Sequence, residues 1–216
     1  MATPLNWQLD ILPAGQRSLW EHTLRTGFPG WVLYGGTALA LRLGHRTSID
    51  FDFFSSEPLV PLAFREKHAL EGDILQADTN TLSVLHCGVK LSFFGGLSLG
   101  VLHAPDLLDQ CPVASLEDLA ACKLAALVNR VELKDYLDVA ALLRHGLSLS
   151  CMLACAQAVY HGTFPVAACV KSLAWFDDPK LDELTKEDRR LLEANALAVE
   201  EIPVATVTGR KIGQAV

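Results

Sequence analysis

Residues 49–54 read Ile-Asp-Phe-Asp-Phe-Phe, and this short run constrains the chain more than any other. Apolar and acidic residues alternate with a period of two, which is the pattern of a β-strand with one buried face. Asp50 and Asp52 then project together from one face, while Ile49, Phe51 and Phe53 are expected on the other. Two carboxylates about 4 Å apart repel by roughly 4 kcal/mol at an effective dielectric of 20, so a pair set in so apolar a strand calls for a cation. Mg²⁺ suits it, because that ion takes one or two carboxylates and fills its shell with water and phosphate oxygens. The plain alternative is a solvated polar face with no ligand.

Upstream, Trp31-Val-Leu-Tyr34 reads as a strand and Gly35-Gly36-Thr37 as the turn into a helix over 37–43. A glycine turn at a helix start exposes backbone N–H groups and the positive end of the helix dipole, a receiver for phosphate. Glycines there also serve tight packing, so the turn gains meaning only beside the acids. Helices are further expected over 14–26 and 60–70, and strands over 73–77, 81–86 and 89–94. From Ser115-Leu-Glu-Asp118, which resembles a capping box, the period becomes helical, with helices expected over 116–130, 132–145, 148–161, 166–176 and 185–201. The last dozen residues look irregular. The fold class is therefore α/β (α+β): a short mixed sheet flanked by helices, then a C-terminal helical bundle. The expected division is an α/β lobe over 1–110 and a helical lobe over 111–216 that closes a cleft, with the shift near Pro105 and Pro112 as the boundary.

On a helical wheel Lys123 falls among Leu116, Ala120 and Leu127, in the middle of an apolar stripe. A lysine there must snorkel or meet an anion. Arg130 lies near the same face, and Lys90 on the Val89-Lys-Leu-Ser-Phe-Phe94 strand is a weaker candidate for binding phosphate. Asp135 and Asp138 share one face of the next helix, where they could act as a base or pair with Lys123, Arg130 or Lys134. Arg46, just before the acid strand, could orient a phosphate or pair with an acid.

The series Tyr34-Gly-Gly-Thr-Ala-Leu-Ala-Leu-Arg-Leu-Gly-His-Arg-Thr-Ser-Ile-Asp-Phe-Asp-Phe-Phe54, Val89 to Phe94, Ala114 to Lys123 and Lys134-Asp-Tyr-Leu-Asp138 resembles the AbiEii/AbiGii toxin family of nucleotidyltransferases, within the DNA-polymerase-β-like superfamily. The resemblance covers roughly residues 30–145. It implies transfer of a nucleoside monophosphate from a nucleoside triphosphate to an acceptor hydroxyl, with Mg²⁺ or Mn²⁺. Gly35, Gly36 and Thr37 would hold the β and γ phosphates, with Arg46, Lys90, Lys123 and Arg130 also on the nucleotide. Asp50 and Asp52 would hold the metal, and Lys123, Asp135 and Asp138 would complete the catalytic set. It further implies a tRNA 3′ end as acceptor and a cognate antitoxin as partner. Many superfamily members carry a third carboxylate where this chain has Ser92. Three activities therefore stay open: transfer to RNA, transfer to a small aminoglycoside-like molecule, and nucleotide binding without catalysis.

Other classes are disfavoured by composition and pattern. With 18 Lys+Arg against 25 Asp+Glu the net charge is −7, spread over both halves, which argues against bulk electrostatic capture of nucleic acid but not against a local basic cleft. No apolar run reaches about 18 residues, so no membrane span is expected. Six cysteines without a C-x-x-C pair and an N-terminus unlike a signal peptide suggest a reducing cytoplasm, with Cys151 and Cys155 as core thiols. Gly96-Leu-Ser-Leu-Gly100 matches a nucleophile elbow but precedes a poor helix start, and the seven histidines lack ligand spacing.

Overall fold

The computed structural model describes residues 6–214, which divide into two compact units. The first holds residues up to Leu99 with Ala104–Ser115 and the segment from Gly209; the second holds Gly100–His103 and Leu116–Thr208.

The first unit opens with helix α1 (Ala14–His22), then strand β1 (Val32–Tyr34), helix α2 (Gly35–Leu43), strand β2 (Asp50–Phe54) and helix α3 (Pro61–Lys67). Strands β3 (Asp73–Asp78), β4 (Thr81–His86), β5 (Val89–Phe94), β6 (Asp106–Leu108) and β7 (Cys111–Val113) follow. They form one mixed seven-stranded sheet in the order β3-β4-β5-β2-β1-β7-β6. β2 lies antiparallel to β1 and parallel to β5.

Alternation in β2 works as the sequence indicates for Phe51 and Phe53, both fully buried with Leu91 and Phe93 of β5 and Leu82 and Val84 of β4. Trp20 of α1 stacks on Phe51 with ring centroids 6.1 Å apart, and Phe28 meets Phe53 and Phe93 edge-on at 5.0 Å. Phe64 of α3 closes on Phe93 at 4.8 Å. Each such aromatic contributes about 2–3 kcal/mol by burial, so this face anchors the sheet and fixes which way the acids point. Ile49 departs from expectation: it precedes the strand and is 69% exposed.

Helix α2 begins two residues earlier than its hydrophobic period indicates, at Gly35, and ends on Gly44 in the left-handed conformation, whose N–H donates to the Ala40 carbonyl. The hairpin β6–β7, in a stretch that the sequence suggested only as a boundary, extends the sheet through a parallel pairing of Leu33 with Val113. Arg42 of α2 fastens it: Nε donates to the Ala114 carbonyl at 2.7 Å, and Nη2 reaches the Val113 carbonyl at 3.0 Å and Asp106 at 2.8 Å. Among the described residues the C-terminal stretch over 199–214 has no regular structure, yet part of it is fixed. Ser56 donates its N–H and hydroxyl to the carbonyl of buried Ile212, at 3.1 and 2.9 Å.

The second unit is a bundle of α4 (Leu116–Asn129), α5 (Leu133–Arg144), α6 (Leu149–Val159), α7 (Val166–Ser172) and α8 (Lys186–Leu197). α4 packs against α5, α6 and α7. Buried Ala120, Ala121 and Ala156 allow close approach of helix backbones, and Leu119, Leu124, Leu127, Met152 and Leu153 fill the core. Ser148 caps α6 by accepting the Cys151 N–H, and Thr185 caps α8 by accepting the Asp188 N–H. Asp118, buried in the first turn of α4, accepts the backbone N–H groups of Leu102 at 2.9 Å and His103 at 3.3 Å. Cys155 is buried, but Cys151 is exposed, one turn earlier on the solvent side of α6. Among the described residues no single helix is long and apolar enough to cross a membrane.

Candidate active site

The strand order places the glycine turn directly beside the acids. Tyr34, the last residue of β1, pairs with Asp52 of β2, so the chain leaves the sheet at Gly35 next to that carboxylate. Gly35 has φ +74°, and a Cβ there would lie 2.3 Å from Asp52 Oδ2. Only glycine satisfies both demands. A Cβ on Gly36 would stand 2.8 Å from Arg46 Nη2 and 2.9 Å from Ser48 Oγ, which places a guanidinium and a hydroxyl over the first turn of α2. The N–H groups at the start of that nine-residue helix, with its dipole, add to the same positive field.

Thr37 is fully buried, and its hydroxyl donates to the Asp50 carbonyl. Its side chain thus ties α2 to β2, which leaves its backbone N–H as the group suited to phosphate. Across the sheet, Lys90 of β5 pairs with Asp50 and Ser92 with Asp52. Lys90 Nζ lies 3.9 Å from Asp50 Oδ2, with side chains 42% and 35% exposed. Ser92 is buried, its Oγ 3.2 Å from that of Ser83 on β4. Ser48 escaped sequence reasoning; its only signal was lying two residues before Asp50, in phase with the acids.

In the second unit, Lys123 is buried with its ammonium 2.5 Å from Asp138 Oδ2 and 3.4 Å from Asp135 Oδ1. Arg130, half exposed, places Nε 2.9 Å from Asp135 Oδ2 and Nη2 3.4 Å from Oδ1. Both aspartates are fully buried. Two cations and two carboxylates make a neutral cluster, and Asp135 also lies in the first turn of α5, where the dipole favours an anion. The lysine in the apolar stripe has therefore met its anions. Ser98 of the elbow-like motif lies in an irregular segment after β5 with no helix behind it, which removes that reading.

The sequence model of the nucleotidyl transferase AbiEii toxins, of type IV toxin-antitoxin systems, matches residues 18–72 and 87–202. This chain belongs to the AbiEii nucleotidyl transferase toxin family. The AbiEii match includes Gly35 to Asp52, Lys90, Ser92 and the Lys123 cluster, and omits 73–86, where β3 and β4 lie. An uncharacterised protein of Aquifex aeolicus (strain VF5), aq_aa25, is 31% identical over 173 residues, 76% of this chain and 83% of that protein.

Proposed function

We propose that this AbiEii member transfers a nucleoside monophosphate from a nucleoside triphosphate to an acceptor hydroxyl, releasing pyrophosphate. The observation that supports it most is the contact between turn and acids: Gly35 sits so close to Asp52 that a phosphate on the α2 N-terminus lies beside the carboxylate pair. Among the described residues no group of three or more His, Cys, Asp or Glu could hold a metal. The pair nevertheless fits Mg²⁺ or Mn²⁺, because two hard oxygen donors suffice when phosphate and water supply the remainder. Asp50 and Asp52 would hold the ion, which supplies charge neutralisation on the attacking and leaving oxygens.

The chain's own groups do the positioning. Gly35 and Gly36 let Asp52, Arg46 and Ser48 close on the first turn of α2, so that Arg46 contributes a guanidinium beside the α2 N–H groups, and Lys90 an ammonium beside Asp50. Buried pairing of Asp135 and Asp138 with Lys123 favours an anchoring role for these three over a base, with half-exposed Arg130 closing the cluster on Asp135. The acceptor we infer is an RNA 3′ end, that of tRNA, in a reducing cytoplasm, with an antitoxin encoded for the same system. Ser92 supports a second reading, nucleotide binding without transfer, since it stands where a third carboxylate would be.

Incubation of the protein with each α-³²P nucleoside triphosphate, Mg²⁺ or Mn²⁺, total RNA and a metabolite pool separates these. Label in RNA that vanishes in Asp50→Ala and Asp52→Ala supports the proposal. Label in a metabolite moves the acceptor to small molecules, and bound nucleotide without transfer makes the second reading the correct one.

A further inference from the structure

The carboxylate pair and its neighbours on β5 carry one inference that rests on the nucleotidyl-transfer reading and goes beyond it. A site for two divalent ions about 3.5–4 Å apart needs enough anionic ligands to hold both. This strand pair offers Asp50 and Asp52 from β2, while the facing positions of β5 hold a cation, Lys90, and a neutral residue, Ser92. The Ser92 hydroxyl is buried against that of Ser83, so it is engaged within the sheet. Asp135 and Asp138, the other acids of the catalytic set that the resemblance implies, are fully buried and held by Lys123 and Arg130. Before nucleotide binds, two divalent ions would thus bring four positive charges to two carboxylates, with Lys90 already 3.9 Å from one of them.

We propose that the site holds a single divalent ion on Asp50 and Asp52, and that the Lys90 ammonium serves as its second, permanent cation. Lys90 is a positioning residue: it offsets the Asp50 charge in the absence of metal and occupies the side of the pair from which a second ion would bind. Ser92 keeps that side from gaining a ligand.

The test is titration of the full chain with Mn²⁺ alone, counting bound ions by electron paramagnetic resonance. Wild type is expected to bind one ion per chain. Lys90→Met should also bind one, about tenfold more tightly, since a neighbouring unit charge is removed. Ser92→Asp combined with Lys90→Met should bind two, and Ser92→Asn one. Two ions in wild type, or unchanged or weaker affinity in Lys90→Met, overturns the inference. If the combined variant does not fold, Lys90→Met decides alone, because the Lys90 side chain is partly exposed and its loss leaves the core intact. Two bound ions with label transfer intact would sink the single-ion site and leave nucleotidyl transfer standing; no bound Mn²⁺ would sink both the single-ion site and the metal role of Asp50 and Asp52.

Discussion

Lys123 shows how a buried charge is tolerated. Its ammonium would cost several kcal/mol if left alone, and two carboxylates at 2.5 and 3.4 Å offset that cost. Replacing it by Met takes the cation from between the buried carboxylates of Asp135 and Asp138, so Lys123→Met should lose about 3–5 kcal/mol in urea unfolding. Restoring neutrality with Asp138→Asn, which leaves Arg130 paired with Asp135, should recover much of it. Gly35→Ala tests the other cluster. The left-handed backbone costs about 1–2 kcal/mol with a side chain, and the new methyl displaces the Asp52 carboxylate, so Mn²⁺ binding should fall further than the melting temperature implies. The sequence disclosed the acids through alternation and Lys123 through its misplaced charge. It could not disclose the partners, because Thr37 donating to the Asp50 carbonyl and Arg46 lying over Gly36 depend on how α2 folds back on β2.

At the level of elements, long periodic segments and the short strand β1 were readable, whereas the three-residue strands β6 and β7 were not. The strands over 73–94 and the five C-terminal helices appear within a few residues of their expected limits, because each carries several repeats of its own period. β6 and β7 have three residues each, with Pro112 inside one of them, and exist through tertiary contacts alone. Arg42 supplies these contacts, so Arg42→Met should strip protection from the amides of β6 and β7 in hydrogen exchange and cost about 2–4 kcal/mol, chiefly from the orphaned carbonyls of Val113 and Ala114. Intact protection there would refute the assignment.

Across the whole molecule the cysteines report folding. Burial raises the thiols of Cys111, Cys155 and Cys169 from the ordinary 9.0 to about 12, whereas Cys87 and Cys151 lie at the surface. A thiol reagent at neutral pH should therefore modify Cys87 and Cys151 in the native state and these three only after unfolding. Between 9 and 12 the unfolded chain releases these protons while the native one retains them, so stability should fall with rising pH, by up to about 1.4 kcal/mol per unit for each thiol. Urea midpoints at pH 8 and pH 10 measure this, and no decrease would show the thiols to be accessible.

The most direct test of the central claim, that Asp50 and Asp52 beside the glycine turn carry metal-dependent nucleotidyl transfer, is pyrophosphate release from nucleoside triphosphate with RNA present, comparing wild type with Asp50→Asn and Asp52→Asn under Mg²⁺. The expected result is release in wild type that chelation abolishes and that each variant lowers by about a thousandfold or more, with melting temperatures unchanged. Variants within about tenfold of wild type, where a metal-binding carboxylate should supply several kcal/mol, would contradict it.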